Sequence, residues 1–155
     1  LGETLINLSN KDEINTVLSK FSDYFNQYFL QNMGNKLGVA NFNDKDLDLL
    51  KDLLELLSRT PTDWTIFWRK LSHIEENNPN TILDYVIDQT KAYKWLNQYL
   101  ARRKQQSLDF SESKALMLKS NPAIVLRNHL AQIAIEKAKL GDYSEVDKLF
   151  KALST

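Results

Sequence analysis

The side chains that could do chemistry are few and scattered. The two histidines, His73 and His129, stand far apart in the chain. A metal site needs several converging ligands, commonly His at helical spacing, and two isolated residues do not supply them. His129 falls beside Leu126, Leu130 and Ile133, on or near the apolar face of a helix, and reads as a hydrogen-bonded core or interface histidine. The series Asp44, Asp46, Asp48 and Asp52 invites a calcium reading. It has no Gly where an EF-hand loop must turn, so first-turn acids that favour the helix dipole are the simpler account. Arg102-Arg103-Lys104 stands at a predicted helix end, where cations offset the negative terminus. A phosphate contact is the alternative there. Arg127-Asn128 is the pair that packing does not demand: Arg127 is expected one turn into a helix over Asn121–Leu140, with a planar fork suited to a carboxylate or phosphate. Its two readings are an Arg tied to a carboxylate or to helix-end carbonyls, and an Arg contacting a bound anion or another domain.

No phosphate cradle is present as a motif. The sequence contains no GxGxxG and no Walker loop, no H-R-D or D-F-G, no GxSxG and no HExxH. It has no cysteine, which removes disulfides, thiolate zinc sites and Cys nucleophiles from within the chain. That composition is compatible with a reducing compartment.

The elements that must position these residues are helical nearly throughout. With 155 residues, 4 Gly and 3 Pro, the chain fits one domain over residues 1–155 and leaves little room for turn-dense β architecture. Asn10 and Glu13 have capping-box spacing before Ile14, Val17, Leu18, Phe21, Tyr24, Phe25, Tyr28 and Phe29. Those steps of three and four predict one long helix with a wide aromatic stripe, stopped at Gly38. The stripe is expected to be core, as are Trp64, Trp68 and Trp95. Asn43 or Asp44 caps a second helix with Leu47, Leu50, Leu53, Leu54 and Leu57 on one face, ended by Pro61. Thr62 and Asp63 start a third, carrying Trp64, Phe67, Trp68 and Leu71. Asn77-Asn78-Pro79-Asn80 is a turn cluster, and a short helical piece holds Ile82, Leu83 and Val86. A helix from about Thr90 to Gln105 turns Tyr93, Leu96, Tyr99 and Leu100 inward. Ser107–Phe110 is a loop, and Ser111 caps a short helix through Met117. Asn121-Pro122 reads as a cap followed by a first-turn proline, and Gly141 closes that helix. Asp142 and Glu145 repeat the capping-box spacing before Val146, Leu149, Phe150 and Leu153. The expectation is an all-α, compact bundle of about eight helices.

Net charge is zero, with 20 basic and 20 acidic side chains, which argues against a protein that holds nucleic acid by counterion release. The balance is uneven. Residues 1–90 carry eight Lys/Arg against fourteen Asp/Glu, and residues 91–140 carry ten against three. The basic block reads as a solvated helix surface facing an acidic neighbour, or as a face for a phosphate, an acidic partner or a membrane surface. No run approaches about 20 apolar residues, so no membrane span is expected. The chain begins at Leu1 with no signal-like stretch, which suggests a piece of a longer gene product.

Four segments together resemble the C-terminal region of the selenoprotein O family (YdiU-like proteins). They are Met33-Gly34-Asn35-Lys36-Leu37-Gly38; Asp46–Leu57 followed by Asp63-Trp64-Thr65-Ile66-Phe67-Trp68-Arg69-Lys70-Leu71-Ser72; Asn121-Pro122 with Leu126-Arg127-Asn128 after Met117-Leu118; and Ala131 through Ala138 with Gly141-Asp142-Tyr143-Ser144. They occur in family order and cover most of the chain, though no single one is highly specific. The resemblance implies a kinase-like protein that transfers AMP from ATP to protein hydroxyls, using Mg or Mn, in a bacterial cytoplasm. The family's nucleotide-binding, metal-binding and catalytic residues lie upstream of the matching region, so none is carried onto this chain. Its C-terminal Cys or selenocysteine tail has no counterpart here either. The implied role is a non-catalytic helical part with no cofactor of its own. Its partners would be an N-terminal kinase-like domain and, through the whole enzyme, protein substrates. Arg127, Asn128, Arg102 and Arg103 are the candidates for interdomain or anion contact. The rival reading is a free-standing helical interaction module using the basic block; an anion-binding regulatory domain rests on Arg102, Arg103 and Arg127 alone.

Overall fold

The computed structural model describes residues 10–59 and 61–154. Among them are seven α-helices: α1 Lys11–Leu37, α2 Leu47–Ser58, α3 Trp64–Leu71, α4 Gln89–Lys104, α5 Phe110–Ser120, α6 Asn128–Lys139 and α7 Ser144–Leu153. Two 3₁₀ segments, Asp44–Asp46 and Pro79–Tyr85, join them. The only β pairing among the described residues is a single bridge between Glu75 and Asn78. The expected all-α class holds.

Short polar side chains start most of the helices, because the first backbone N–H groups have no partner within the helix. Asn10 accepts from Asp12 N at 2.9 Å, and Asp63 from Thr65 N at 2.8 Å and Ile66 N at 3.1 Å. Asn43 and Asp46 form a reciprocal capping box around the 3₁₀ turn that runs into α2. Gly38, at φ 64°, closes α1 in a left-handed conformation. A side chain there would also collide with Ser113 and Met117, so the position needs glycine twice over.

The core lies between the end of α1, α2, α3, the second 3₁₀ segment, α4 and α5. Leu37, Leu53, Leu71 and Tyr99 are fully buried, with Phe67, Trp68, Leu96 and Met117 at 1% exposure. Two buried aromatic polar ends find acceptors: Trp95 Nε1 donates to Leu49 O at 2.9 Å and Tyr99 Oη to Leu37 O at 2.7 Å, whereas the buried Trp68 Nε1 has none among the described residues. Leu56, absent from the predicted apolar face of α2, is buried as well.

Five expectations are corrected. The helix predicted from Asn121 begins at Asn128. Asn121 instead terminates α5, at φ −115° and ψ 87°, because a residue before proline is pushed out of the helical region. Helix α5 is capped by Asp109 in a box with Glu112, not by Ser111, and runs on to Ser120. The aromatic stripe of α1 is not core: every residue from Asn15 to Tyr28 is exposed, and burial begins at Phe29. Helical spacing of apolar residues specifies a face, but not whether anything in the same chain covers it. Trp64 and Tyr93, both expected inside, are exposed for the same reason. Finally, Glu145 does not cap back onto Asp142. It takes Lys137 and Lys148, each at 2.9 Å, while Asp142 accepts from Ser144 N.

Candidate functional site

The polar groups singled out by sequence lie in separate places. Arg127 occupies the residue before α6, not a position one turn inside it. Its terminal nitrogen lies 2.6 Å from Asp63 Oδ2, while Asp63 Oδ1 caps α3. Asp63 is held below the usual carboxylate range, first by the Arg127 hydrogen bond and then by the Ile66 amide. One carboxylate therefore ties the start of α6 to the start of α3. Asn128, the first residue of α6, is exposed, and its side chain has no hydrogen-bond partner among the described residues.

Arg102 and Arg103 face inward. Arg102 grips Asp46 with two nitrogens, Nε to Oδ1 at 2.6 Å and a terminal nitrogen to Oδ2 at 3.2 Å, and also donates to Ala40 O at 3.2 Å. Asp46 is 5% exposed, so this is a desolvated ion pair. Arg103 is 7% exposed and lies 4.2 Å from the Phe110 ring centroid and 5.6 Å from that of Tyr99. Burial pushes the Tyr99 phenol up to about 12.

The rest of the basic block meets acids of the first half in part. Lys91 approaches Glu55 at 3.8 Å and Asp88 at 4.0 Å. These side chains rim a groove of about 400 Å³ between α2 and α4, with Leu56, Ile87 and Trp95 inside it. Charges of both signs alternate around it, so it carries no strong preference for an anion. His73 is exposed; partial desolvation and then the nearby Arg69, Lys114 and Lys70 lower its pKa. His129 is exposed rather than packed in the core. Among the described residues no three His, Asp or Glu side chains converge to hold a metal ion, and no helix is long and apolar enough to cross a membrane.

Sequence reasoning missed a buried hub. Asn121, 1% exposed, donates through Nδ2 to Lys36 O and Ser72 Oγ, both at 2.9 Å, and accepts from Lys36 Nζ at 3.2 Å. Arg69 adds bonds to Leu118 O at 3.4 Å and Asn121 O at 3.1 Å. The hub locks α1, α3 and α5 together where the chain leaves for α6. The signal available was the Asn-Pro step itself, read as the wrong end of a helix.

Beyond the hub, α6 and α7 form a hairpin closed by Gly141 at φ 84° and by the Lys137–Glu145 pair at 2.9 Å. Only Ala134 of the pair is buried. Ile133, Ile135, Val146, Phe150 and Leu153 stay largely exposed. Two apolar faces, those of α1 and of the hairpin, are thus open in this chain. Such faces mark docking surfaces.

The model of the family described as protein adenylyltransferase SelO matches residues 1–154. The chain belongs to the SelO family. Among SelO relatives, the protein nucleotidyltransferase YdiU of Vibrio atlanticus is 34% identical over 154 residues, which is 99% of this chain and 32% of that protein. The YdiU proteins of Aliivibrio fischeri (37% identical, 100% of this chain, 31% of the relative) and Vibrio vulnificus (35% identical, 99% and 32%) agree. The chain spans about a third of the length of the SelO relatives it matches.

Proposed function

We propose that this chain is the C-terminal helical region of a SelO-type protein adenylyltransferase. In this reading the complete protein transfers AMP from ATP to protein hydroxyls, and this region supports the kinase-like part without contributing catalytic groups. ATP and its Mg or Mn ion are then held by the remainder of the polypeptide. The observation that carries the reading is the pairing of an end-to-end family match, over about a third of its relatives' length, with two open apolar faces. Helices α1 and α7 leave large side chains in water that a complete enzyme would cover. The rival reading, a free-standing module working through the basic block, draws less support, because Arg102, Arg103 and Lys91 already face partners within the fold.

The test compares this chain with the longer gene product, by calorimetric ATP titration and intact-mass detection of AMP addition with Mg or Mn. Transfer by the long form and none by this chain is the expected result. Transfer by this chain alone would overturn the non-catalytic role, and inactivity of a well-folded long form would overturn the enzymatic one.

A further inference from the structure

We propose that the cleft between α1 and α5 seats an acidic, apolar-faced helix from the part of the same polypeptide that lies outside this chain; this rests on the functional reading above. The α1 side of the cleft is an aromatic ladder. Phe21 stacks on Phe25 and Phe25 on Phe29, each pair with ring centroids 6.0 Å apart. Phe29 packs against the core, whereas Phe25 and Tyr28 are 56% and 60% exposed. The apolar track therefore runs from the core outward along one helix face, as a docking groove for a second helix would.

The cleft, about 670 Å³, is charged in one sense only. Lys36 and Lys119 line it and no carboxylate does. Lys36 is the sharper clue. Its ammonium is half-buried, bonded to the neutral acceptors Ser120 O and Asn121 Oδ1 at 3.2 Å each and placed 5.6 Å from the Trp68 ring centroid. It forms no ion pair with a described carboxylate, and desolvation lowers its pKa. A partly desolvated cation beside an aromatic ring is complementary to a carboxylate carried on an apolar helix.

The occupant is assigned to the same polypeptide on two grounds. The SelO relatives extend well beyond the matched third, so further chain is covalently at hand. A second copy is the poorer fit, since another α1 would bring Lys20 along with Asp23 and offers no excess of acid.

The test is zero-length carbodiimide cross-linking of the longer gene product, read by peptide mass spectrometry. The expected result joins Lys36 or Lys119 to an Asp or Glu outside this chain. Phe25→Asp should abolish that link and lower the melting temperature. Lys119→Gln, at an exposed position, should remove the Lys119 link with a smaller shift. Isotopically mixed links between copies would overturn the proposal in favour of a dimer. Links confined to this chain would overturn it too, as would no link at all, whether both amines are freely acylated or shielded. A gene product with no further chain would do the same. AMP transfer by the long form is scored separately, so loss of the docking proposal and loss of the functional reading are distinguishable.

Discussion

Asp63 caps α3 with one oxygen and holds Arg127, at the mouth of α6, with the other at 2.6 Å. Two helices far apart in sequence thereby start from one carboxylate. Asp63→Asn should keep the cap, since Asn caps as well as Asp, and lose the charge pair. Asp63→Ala should lose both and be the less stable variant. The pH dependence follows from the lowered pKa of Asp63. A depressed folded-state value contributes stability that is present above the ordinary carboxylate range and is lost as pH falls through the folded value. The gap in melting temperature between the native chain and Asp63→Asn should therefore be open at neutral pH and close in acid. A gap that persists unchanged into acid would show that the ion pair is not its source.

The pair of Arg102 with Asp46 differs in kind, because it is nearly dry: the side chains are 20% and 6% exposed. Removing one partner of a buried pair costs about 3–5 kcal/mol, since it strands a desolvated charge. Arg102→Ala should fall near the lower end, as water can reach the arginine side. Arg102→Lys should recover part of the loss, lacking the two-pronged geometry. Urea unfolding of the three proteins would measure this. Equal stability of all three would mean that Asp46 is satisfied without the arginine.

Asn121 should be costly to replace for a different reason. Its side chain serves two acceptors and one donor at 2.9 to 3.2 Å inside the protein. Leaving a buried polar group unpaired costs roughly 1–3 kcal/mol. Asn121→Leu removes this partner from Lys36 O, Ser72 Oγ and the Lys36 ammonium at once, leaving Ser72 Oγ with its bond to Trp68 O and the ammonium with its bond to Ser120 O. Denaturant midpoints should fall sharply for Asn121→Leu and hardly for Ser120→Ala, whose contact to Lys36 is made by the backbone. Comparable shifts in both would place the stabilisation in the local backbone.

How much of this was legible in the sequence depends on what each signal encodes. Helix existence was readable because the 3.6-residue period is local, and the caps at Asn10, Asn43 and Asp63 follow from orphan backbone donors. The start of α6 was misplaced because Asn-Pro fits both a helix beginning and a helix end. Only the tertiary bonds of Asn121 decide between them. The stripe on α1 was read as core because periodicity is silent about partners. Arg102 could not be matched with Asp46 in advance, since a contact across 56 residues leaves no trace in either residue's neighbourhood. The candidates Arg127 and Asn128 were found by residue type, but the carboxylate that takes Arg127 was not.

Gly38 and Gly141 separate two costs that are often merged. Both have positive φ, 64° and 84°, where a side chain is strained by roughly 1–2 kcal/mol. At Gly141 nothing lies within 4 Å of an added Cβ, so Gly141→Ala should lose that amount alone. At Gly38 the new methyl would also meet Ser113 and Met117 and disturb the Ser113 Oγ bond to Gly38 O at 2.6 Å. Crowding of this sort adds about 1–3 kcal/mol. Chemical denaturation should rank Gly38→Ala well below Gly141→Ala, and equal losses would show that the α1–α5 contact yields to the extra methyl.

Tyr99 supplies the alkaline counterpart of Asp63. Its phenol, pushed up to about 12 by burial, donates to Leu37 O at 2.7 Å beneath Arg103. A folded-state pKa raised above the unfolded value contributes stability that is complete below the unfolded value, near 10, and is lost as pH rises toward the folded one. The Tyr99 contribution to the unfolding midpoint should thus be constant below about pH 10 and decline above it. Tyr99→Phe removes the ionisable group while keeping the ring stacked on Trp95 at 5.1 Å, so its midpoint should start lower and decline less. Ultraviolet titration of the native chain should show one phenol that resists ionisation until the fold opens. If all phenols ionise together near pH 10 with the fold intact, Tyr99 is reachable by solvent and the core drawn around α4 is looser than its geometry implies.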